Sequence, residues 1–316
     1  MTETESGAAG SSTTGRRSGI LLVDKPQGIT SHDVVARTRR LAGTRKVGHA
    51  GTLDPMATGL LVLGVNSATR VLTYLVGLDK EYFATIRLGI ATNTDDAEGT
   101  ELSRASAASV AAITEQQLAA GIAVLSGEIS QVPSSVSAIK VDGKRAYTLA
   151  RAGETVDLAS RAVTVSAFEL LATRRQDDLL DLDVRVECSS GTYIRALARD
   201  LGATLDVGGH LTALRRSRIG PFGLADAAPL ESMDVQAALL DPALVASRLF
   251  PSHHLDAQQS VDLGHGKRIS IDDPLLREVR GPVAAIEPDG RLAGLVEIRD
   301  GVAKPLVNFP KDEGTA

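Results

Sequence analysis

The sequence predicts an α+β unit followed by a small β-rich domain. Three observations carry that reading. Apolar runs of strand length alternate with helically spaced segments up to about residue 230, and two neighbouring period-two segments, 163–175 and 179–188, read as paired strands. From residue 248 the chain changes to short strands punctuated by Gly and Pro. Its 316 residues fit about two domains at roughly 100 to 200 residues each.

The apolar run 19–23 is a first strand, ended by the turn Asp24-Lys25-Pro26-Gln27-Gly28. A helix begins near Thr30 or Ser31, with Val34, Val35, Thr38 and Leu41 on one face and arginines on the other. Residues 46–59 are too glycine-rich for a regular element and read as a structured loop. The runs 60–65 and 80–88 are strands. Thr114 and Gln117 form a capping box for a helix that turns Leu118, Ile122 and Leu125 to the core and is closed by Gly127. In 179–188, Leu182, Val184, Val186 and Cys188 alternate with charged residues, so Cys188 points inward as a small buried hydrophobe. After Gly191, the spacing of Ile194, Leu197 and Leu201 predicts a helix that stops at Gly202. Residues 231–247 read as a helical linker, and 248–310 as the second domain, with strands at 283–286 and 292–298.

Composition narrows the function classes. Hydrophobic residues make up 43% and charged residues 23%, and no apolar run reaches the roughly 18 residues of a membrane helix, so no membrane role is expected. One cysteine closes no internal disulfide, and the six histidines are scattered without a Cys-x-x-Cys pair, so neither a metal nor a redox centre is expected and a reducing cytoplasm is. Residues 1–17, rich in Ser, Thr and Gly, lack the apolar core of a signal sequence and read as a disordered tail, as do 311–316. The net charge of −5 hides segregation: 16–46 carries eight basic residues against Asp24 and Asp33. Such a surface suits phosphate contacts, while the compensating acids, among them Asp95, Asp96, Glu98 and Glu101, gather elsewhere.

With only five Phe and four Tyr, an aromatic outside a core pattern is informative. Tyr82 follows Lys80-Glu81 at a strand start, and Tyr193 sits in Gly191-Thr192-Tyr193-Ile194-Arg195 at a strand-to-helix junction. Taken singly, both tyrosines read as edge packing, Asp54 as a helix N-cap with Pro55 at the first position, and His49 as a loop hydrogen-bonder. Taken together they match something more specific. Asp24-Lys25-Pro26-Gln27-Gly28, the run from Gly48-His49 through Thr52-Leu53-Asp54-Pro55 to Thr58-Gly59, Lys80-Glu81-Tyr82, Gln131-Val132-Pro133, Ser137-Ala138-Ile139-Lys140 and Gly191-Thr192-Tyr193-Ile194-Arg195 stand in this order. Over about 19–220 the chain thereby resembles the TruB-type tRNA pseudouridine synthases. Residues 250–310 resemble the small β-barrel RNA-binding (PUA) domain that often follows. One departure lies in Pro133-Ser134-Ser135-Val136, which lacks the second proline and the aromatic common in the family.

The resemblance implies a mainly antiparallel mixed sheet flanked by helices over 18–230, with an RNA-binding insertion near 131–153 and a PUA-like domain at 248–310. It implies that Asp54 is the catalytic carboxylate, that Arg195 pairs with it, and that Tyr82 stacks on the flipped uracil and assists proton transfer. Tyr193 would line the pocket, His49 would wedge into the space the base leaves, Lys25 would brace the pocket and Leu214 would pack against the base. In the insertion, Lys140 and Arg145, with Lys144 and Arg151, would clamp the RNA. Both a covalent C1′ adduct and elimination through a glycal satisfy this residue set. The implied reaction is an isomerisation at uridine 55 in the T loop of tRNA, with no cofactor, no metal and no protein partner, by a bacterial-type monomer. Two rivals share the basic surface: a guide-RNA-dependent synthase and a non-catalytic tRNA-folding chaperone. The segment Gly143-Lys144-Arg145-Ala146-Tyr147 favours the stand-alone enzyme over the first, and the presence of Asp54, Tyr82 and Arg195 speaks against the second.

Overall fold

A computed structural model of the chain describes residues 17–134, 140–141, 144–145 and 158–310. Ser137, Ala138, Ile139, Gly143, Ala146, Tyr147 and Arg151 lie outside the described residues, as do the side chains of Lys140, Lys144 and Arg145 and the termini 1–16 and 311–316.

The chain opens with β1 (Gly19–Lys25), α1 (Ser31–Leu41), β2 (Val47–Ala50) and β3 (Thr58–Val65), then α2 (Leu72–Val76) and β4 (Lys80–Leu88). A ribbon of β5 (Ile90–Thr92) and β6 (Glu101–Arg104) leads to α3 (Ala107–Ala111), α4 (Glu115–Val124) and β7 (Gly127–Gln131). The two-residue strands β8 (Lys140–Val141) and β9 (Lys144–Arg145) precede β10 (Arg161–Gln176), β11 (Leu179–Cys188), α5 (Ile194–Thr204) and β12 (Gly209–Ile219). The main sheet runs β7-β10-β11-β4-β12-β3-β1 and is antiparallel except where β12 meets β3 and at its outermost edge. Strand β4 is central, paired along its length with β11 and β12. Short helices at Val235–Ala238 (α6) and Pro242–Leu249 (α7) lead to a five-stranded sheet built from Ser252–His254, Ile269–Ser270, Pro282–Ile286, Leu292–Arg299 and Val302–Asn308. None of the helices in the described residues is long and apolar enough to cross a membrane.

Local chemistry explains most element ends. Thr30 caps α1 in a capping box with Asp33, and Thr114 caps α4 in one with Gln117. In β11, Leu182, Val184, Val186 and Cys188 are buried as the alternation predicts. Three expectations need correction. Residues 46–59 are not all loop: Val47–Ala50 pairs antiparallel with β3, its glycine serving a close approach, because a Cβ on Gly48 would lie 3.2 Å from Leu72. Leu41 stands exposed in the last turn of α1 rather than on its buried face. Gly202 does not stop α5 but lies inside it, where a Cβ would meet the backbone of Gly208 and Gly209 at 2.2 Å. Helix and strand touch there, and only hydrogen fits.

Candidate active site

Two buried cations hold the loop between β2 and β3. Lys25, with no exposed surface, donates from Nζ to the carbonyls of Pro26 at 2.9 Å, Ile29 at 2.8 Å and Pro55 at 3.4 Å. Arg216 donates to Leu60 O at 2.8 Å, Gly51 O at 2.9 Å and Thr52 O at 3.5 Å. From the first turn of α1, Ser31 Oγ donates to Leu53 O at 3.1 Å and accepts from Leu53 N–H at 2.9 Å. Carbonyls that would otherwise be unsatisfied in an irregular buried loop therefore find cationic donors. No helix starts at Asp54 or Pro55, so Asp54 is not an N-cap, and its side chain is left for another use.

That side chain faces Arg195. The guanidinium lies in the first turn of α5, is 4% exposed, and donates from Nε to Asp54 Oδ2 at 3.0 Å. Its Nη1 donates to Thr94 O at 2.7 Å and lies 3.5 Å from Asp96 Oδ2. Arg195 thus bridges two carboxylates of different character: Asp96 is 6% exposed, whereas Asp54 keeps 37% of its side-chain surface open. Asp95 and Asp96 are therefore not a solvated acidic patch. They are internal partners of Arg199, at 3.3 Å, and Arg195, and burial raises the pKa of Asp95.

Asp54 and Arg195 border a cavity of about 270 Å³ that Tyr82, Tyr193, Leu214 and Lys80 also line. Strand pairing places Tyr82 directly across from Arg216, and Leu214 across from Ala84. Burial keeps the Tyr82 phenol protonated well past its usual range, with the nearby Arg216 charge opposing part of that shift. Lys80 Nζ donates to Val76 O at 3.0 Å and Leu78 O at 2.5 Å, and burial pushes it down to about 8, as it does Lys25. Tyr193 is fixed through its backbone, its N–H donating to Gln131 Oε1 at 2.8 Å and its carbonyl accepting from Gln131 Nε2 at 3.1 Å. The Arg161 guanidinium lies 5.6 Å from the Tyr193 ring centroid.

Of the residues singled out in the sequence, Asp54, Arg195, Tyr82, Tyr193 and Leu214 come together around this one cavity. Lys25 lies beneath the loop rather than on the cavity wall. His49 stands on β2, edge-on to His32 at 5.6 Å, and its Nδ1 is buried without a hydrogen-bond partner among the described residues. Burial first, and then nearby positive charge, hold its imidazole below the usual range and so neutral at pH 7. The sequence motifs contain Lys80 and Gln131 without assigning them a role, and neither Asp96 nor Arg216 is among the candidate site residues. For Arg216 a signal existed: it lies two residues after Leu214 on a strand, so an inward Leu214 implies an inward Arg216.

Comparisons with known proteins point to one family. A family model described as "TruB family pseudouridylate synthase (N terminal domain)" matches residues 39–194. Models described as "tRNA pseudouridylate synthase B C-terminal domain" and "tRNA Pseudouridine synthase II, C terminal" match 195–254 and 250–310. The chain is 63% identical over 300 residues, 94% of its length and 98% of the relative's, to the tRNA pseudouridine synthase B of Leifsonia xyli subsp. xyli. It is 55% identical, over 94% of its length and 98% of the relative's, to the protein of that name from an Arthrobacter species. Among solved structures, a Cbf5-Nop10-Gar1 complex contains a chain of similar fold, with a TM-score of 0.66 at 24% identity over 93% of this chain and 84% of that one. An H/ACA ribonucleoprotein bound to a substrate RNA contains another, at 0.65 and 22% over the same shares. With its antiparallel sheet, its carboxylate–arginine pair beside a buried tyrosine and its near full-length relatives, the chain belongs to the TruB family of pseudouridylate synthases.

Proposed function

We propose that the chain isomerises uridine 55, in the T loop of tRNA, to pseudouridine, with Asp54 as catalytic carboxylate, and that it works as a monomer without guide RNA or protein partner. One observation carries the reading: a half-open carboxylate is aimed by a buried arginine at a cavity that also holds two tyrosines and a leucine. Relatives at 63% and 55% identity bear the name tRNA pseudouridine synthase B, whereas the ribonucleoprotein chains reach only 22 to 24%.

The reaction breaks the C1′–N1 bond, turns the uracil and joins its C5 to C1′, with a proton leaving C5 and one gained at N1. Atoms and electrons balance within the nucleotide. Asp54 stabilises C1′ as N1 departs, and Arg195 aims the carboxylate. Extruding the base costs a few kcal/mol of stacking. Tyr82 stacking, Leu214 packing and Tyr193 on the facing wall offset that cost, and Tyr82 assists proton transfer from the rearranging intermediate. His49, neutral and stiffened by His32, fills the gap the base leaves. Lys25 keeps the Asp54 loop in shape. Lys140 and Arg145 of the insertion grip T-arm phosphates, and the domain at 248–310 adds RNA contacts. The deciding experiment incubates an unmodified tRNA transcript with the pure protein and maps pseudouridine at nucleotide resolution. Modification confined to position 55 is the expected result, and modification elsewhere only, or none, overturns the reading.

A further inference from the structure

Most arginines of the main sheet already have partners: Arg87 pairs with Asp181, Arg174 with Asp183, Arg185 with Glu81, Arg215 with Asp24 and Arg218 with Asp79, while Arg175 and Arg216 donate to backbone carbonyls and Arg161 lies over the Tyr193 ring. The end of α1 is different. Arg39, Arg40, Arg45 and Lys46 are exposed and Arg37 half-buried, and among the described residues none of the five forms an ion pair. Arg39, Arg40, Gly43, Thr44, Arg45 and Lys46 line a concavity of about 600 Å³. Helix-dipole compensation accounts for Arg39 and Arg40 in the last turn, and Arg39 also donates to Val47 O at 3.0 Å. It does not account for Arg45 and Lys46, which lie beyond the helix.

The turn that presents them is braced. Thr44 N–H donates to Arg39 O at 3.2 Å, Thr44 Oγ1 donates to Asn66 Oδ1 at 2.8 Å and accepts from Lys46 N–H at 3.2 Å, and Asn66 N–H donates to Lys46 O at 2.8 Å. The cations therefore project from a fixed backbone, which lowers the ordering cost of a ligand that needs several of them. The place matters as well. The first residue of α1, Ser31, is bonded to Leu53, next to Asp54, and Arg40 lies nine residues further on, about 14 Å along the helix at ~1.5 Å per residue. That is roughly four rises of a duplex at ~3.4 Å each.

We propose that this cradle is a phosphate-binding surface for the RNA backbone, set one helix length from the reacting nucleotide, which it holds in register with the Asp54 cavity. The proposal rests on the reading of the chain as a tRNA-modifying enzyme and adds a contact to it. Lys and Arg contacts to phosphate release counterions, so each lost contact flattens the dependence of log affinity on log salt by about 0.7 to 0.9.

The test uses the full chain and an unmodified tRNA transcript. Arg40→Gln/Arg45→Gln/Lys46→Gln is compared with Arg104→Gln/Arg174→Gln/Arg277→Gln, which removes as much charge from arginines already paired with carboxylates. Kd is measured by filter binding from low to moderate salt, and folding by circular dichroism. The cradle variant should bind at least tenfold more weakly at low salt, with a salt slope flatter by about 2. The control should bind within about threefold of wild type. A folded cradle variant with wild-type affinity and slope overturns the proposal, as does equal weakening of the control, which would make the effect one of net charge. If wild type binds tRNA with the predicted slope loss in the variant but forms no pseudouridine, the functional reading falls and the cradle stands. If pseudouridine forms and the variant binds normally, the reverse holds.

Discussion

Asp54→Asn separates charge from shape. The amide oxygen can still accept from Arg195 Nε, and Asp96 still partners the buried guanidinium, so the fold should lose only about 1 to 2 kcal/mol, less than for a fully buried pair because Asp54 is partly open to solvent. If the carboxylate carries the reaction, the single-turnover rate with enzyme in excess should fall at least a thousandfold, about 4 kcal/mol, while tRNA affinity changes by less than about threefold. Residual turnover within tenfold of wild type would return Asp54 to a structural role. Cys188 lies at the opposite extreme. Burial pushes its thiol up to about 11, so it should resist alkylation at pH 8 until the protein unfolds, and Cys188→Ala should modify RNA at the wild-type rate. Fast alkylation of the native protein would contradict its burial. Lys80 gives a pH signature. Its folded value of about 8 lies below its ordinary 10.5, so between those limits the unfolded chain binds more protons and stability rises with pH. Relative to Lys80→Met, wild type should therefore gain stability from pH 8 to 10 and show no such trend below 8. A difference that stays flat across both ranges would mean that Lys80 is not desolvated.

At the scale of elements, two glycines decide how parts meet. Gly59 begins the inner part of β3 at φ +102°, and a Cβ there would lie 2.3 Å from Arg216 O, so the parallel contact between β3 and β12 exists because this residue lacks a side chain. Gly202 does the same for α5 against Gly208 and Gly209. Gly202→Ala should destabilise by about 3 kcal/mol in urea titration, because its neighbours are backbone and cannot rotate away. Gly264→Ala is the contrast: it ends a helix in the second domain with nothing within 4 Å, and should be neutral or stabilising by up to ~1 kcal/mol. Equal effects at the two sites would show that helix propensity, not contact, governs both. Gly202 was misread because helical spacing and a following glycine look alike whether the helix ends there or crosses a neighbour.

For the whole molecule, the second domain does not stand apart from the first. Ile20, Leu22, Leu60, Val62 and Phe222 of the main sheet share one apolar cluster with Ala284, Ile286, Leu292, Leu295 and Phe309. Deleting residues 250–310 should therefore uncover the outer face of β1 and β3, lower the melting temperature and raise binding of a hydrophobic dye, besides weakening tRNA binding. A truncated protein with an unchanged melting temperature and no dye binding would show the shared cluster to be energetically idle. Whole-chain charge was the poorest guide: −5 describes neither the cationic end of α1 nor the acids Asp95 and Asp96, which face inward onto arginines.

The sequence alone determined the period-two burial of β11, the capping boxes of α1 and α4, the β-rich C-terminal segment and, through ordered motifs, the residues now found around the cavity. These are local: a side chain's face follows from its spacing, and a cap from four neighbouring residues. What only the tertiary structure decided is non-local. It made Val47–Ala50 a strand by pairing it with β3 and left Leu41 outside. It buried Arg216 opposite Tyr82 as the donor to the Gly51, Thr52 and Leu60 carbonyls, and set Asp96 as the second anion on Arg195. Partners 99 to 165 residues away are invisible to periodicity, because a buried charge is tolerated only where distant chain segments supply its hydrogen bonds and its counter-charge.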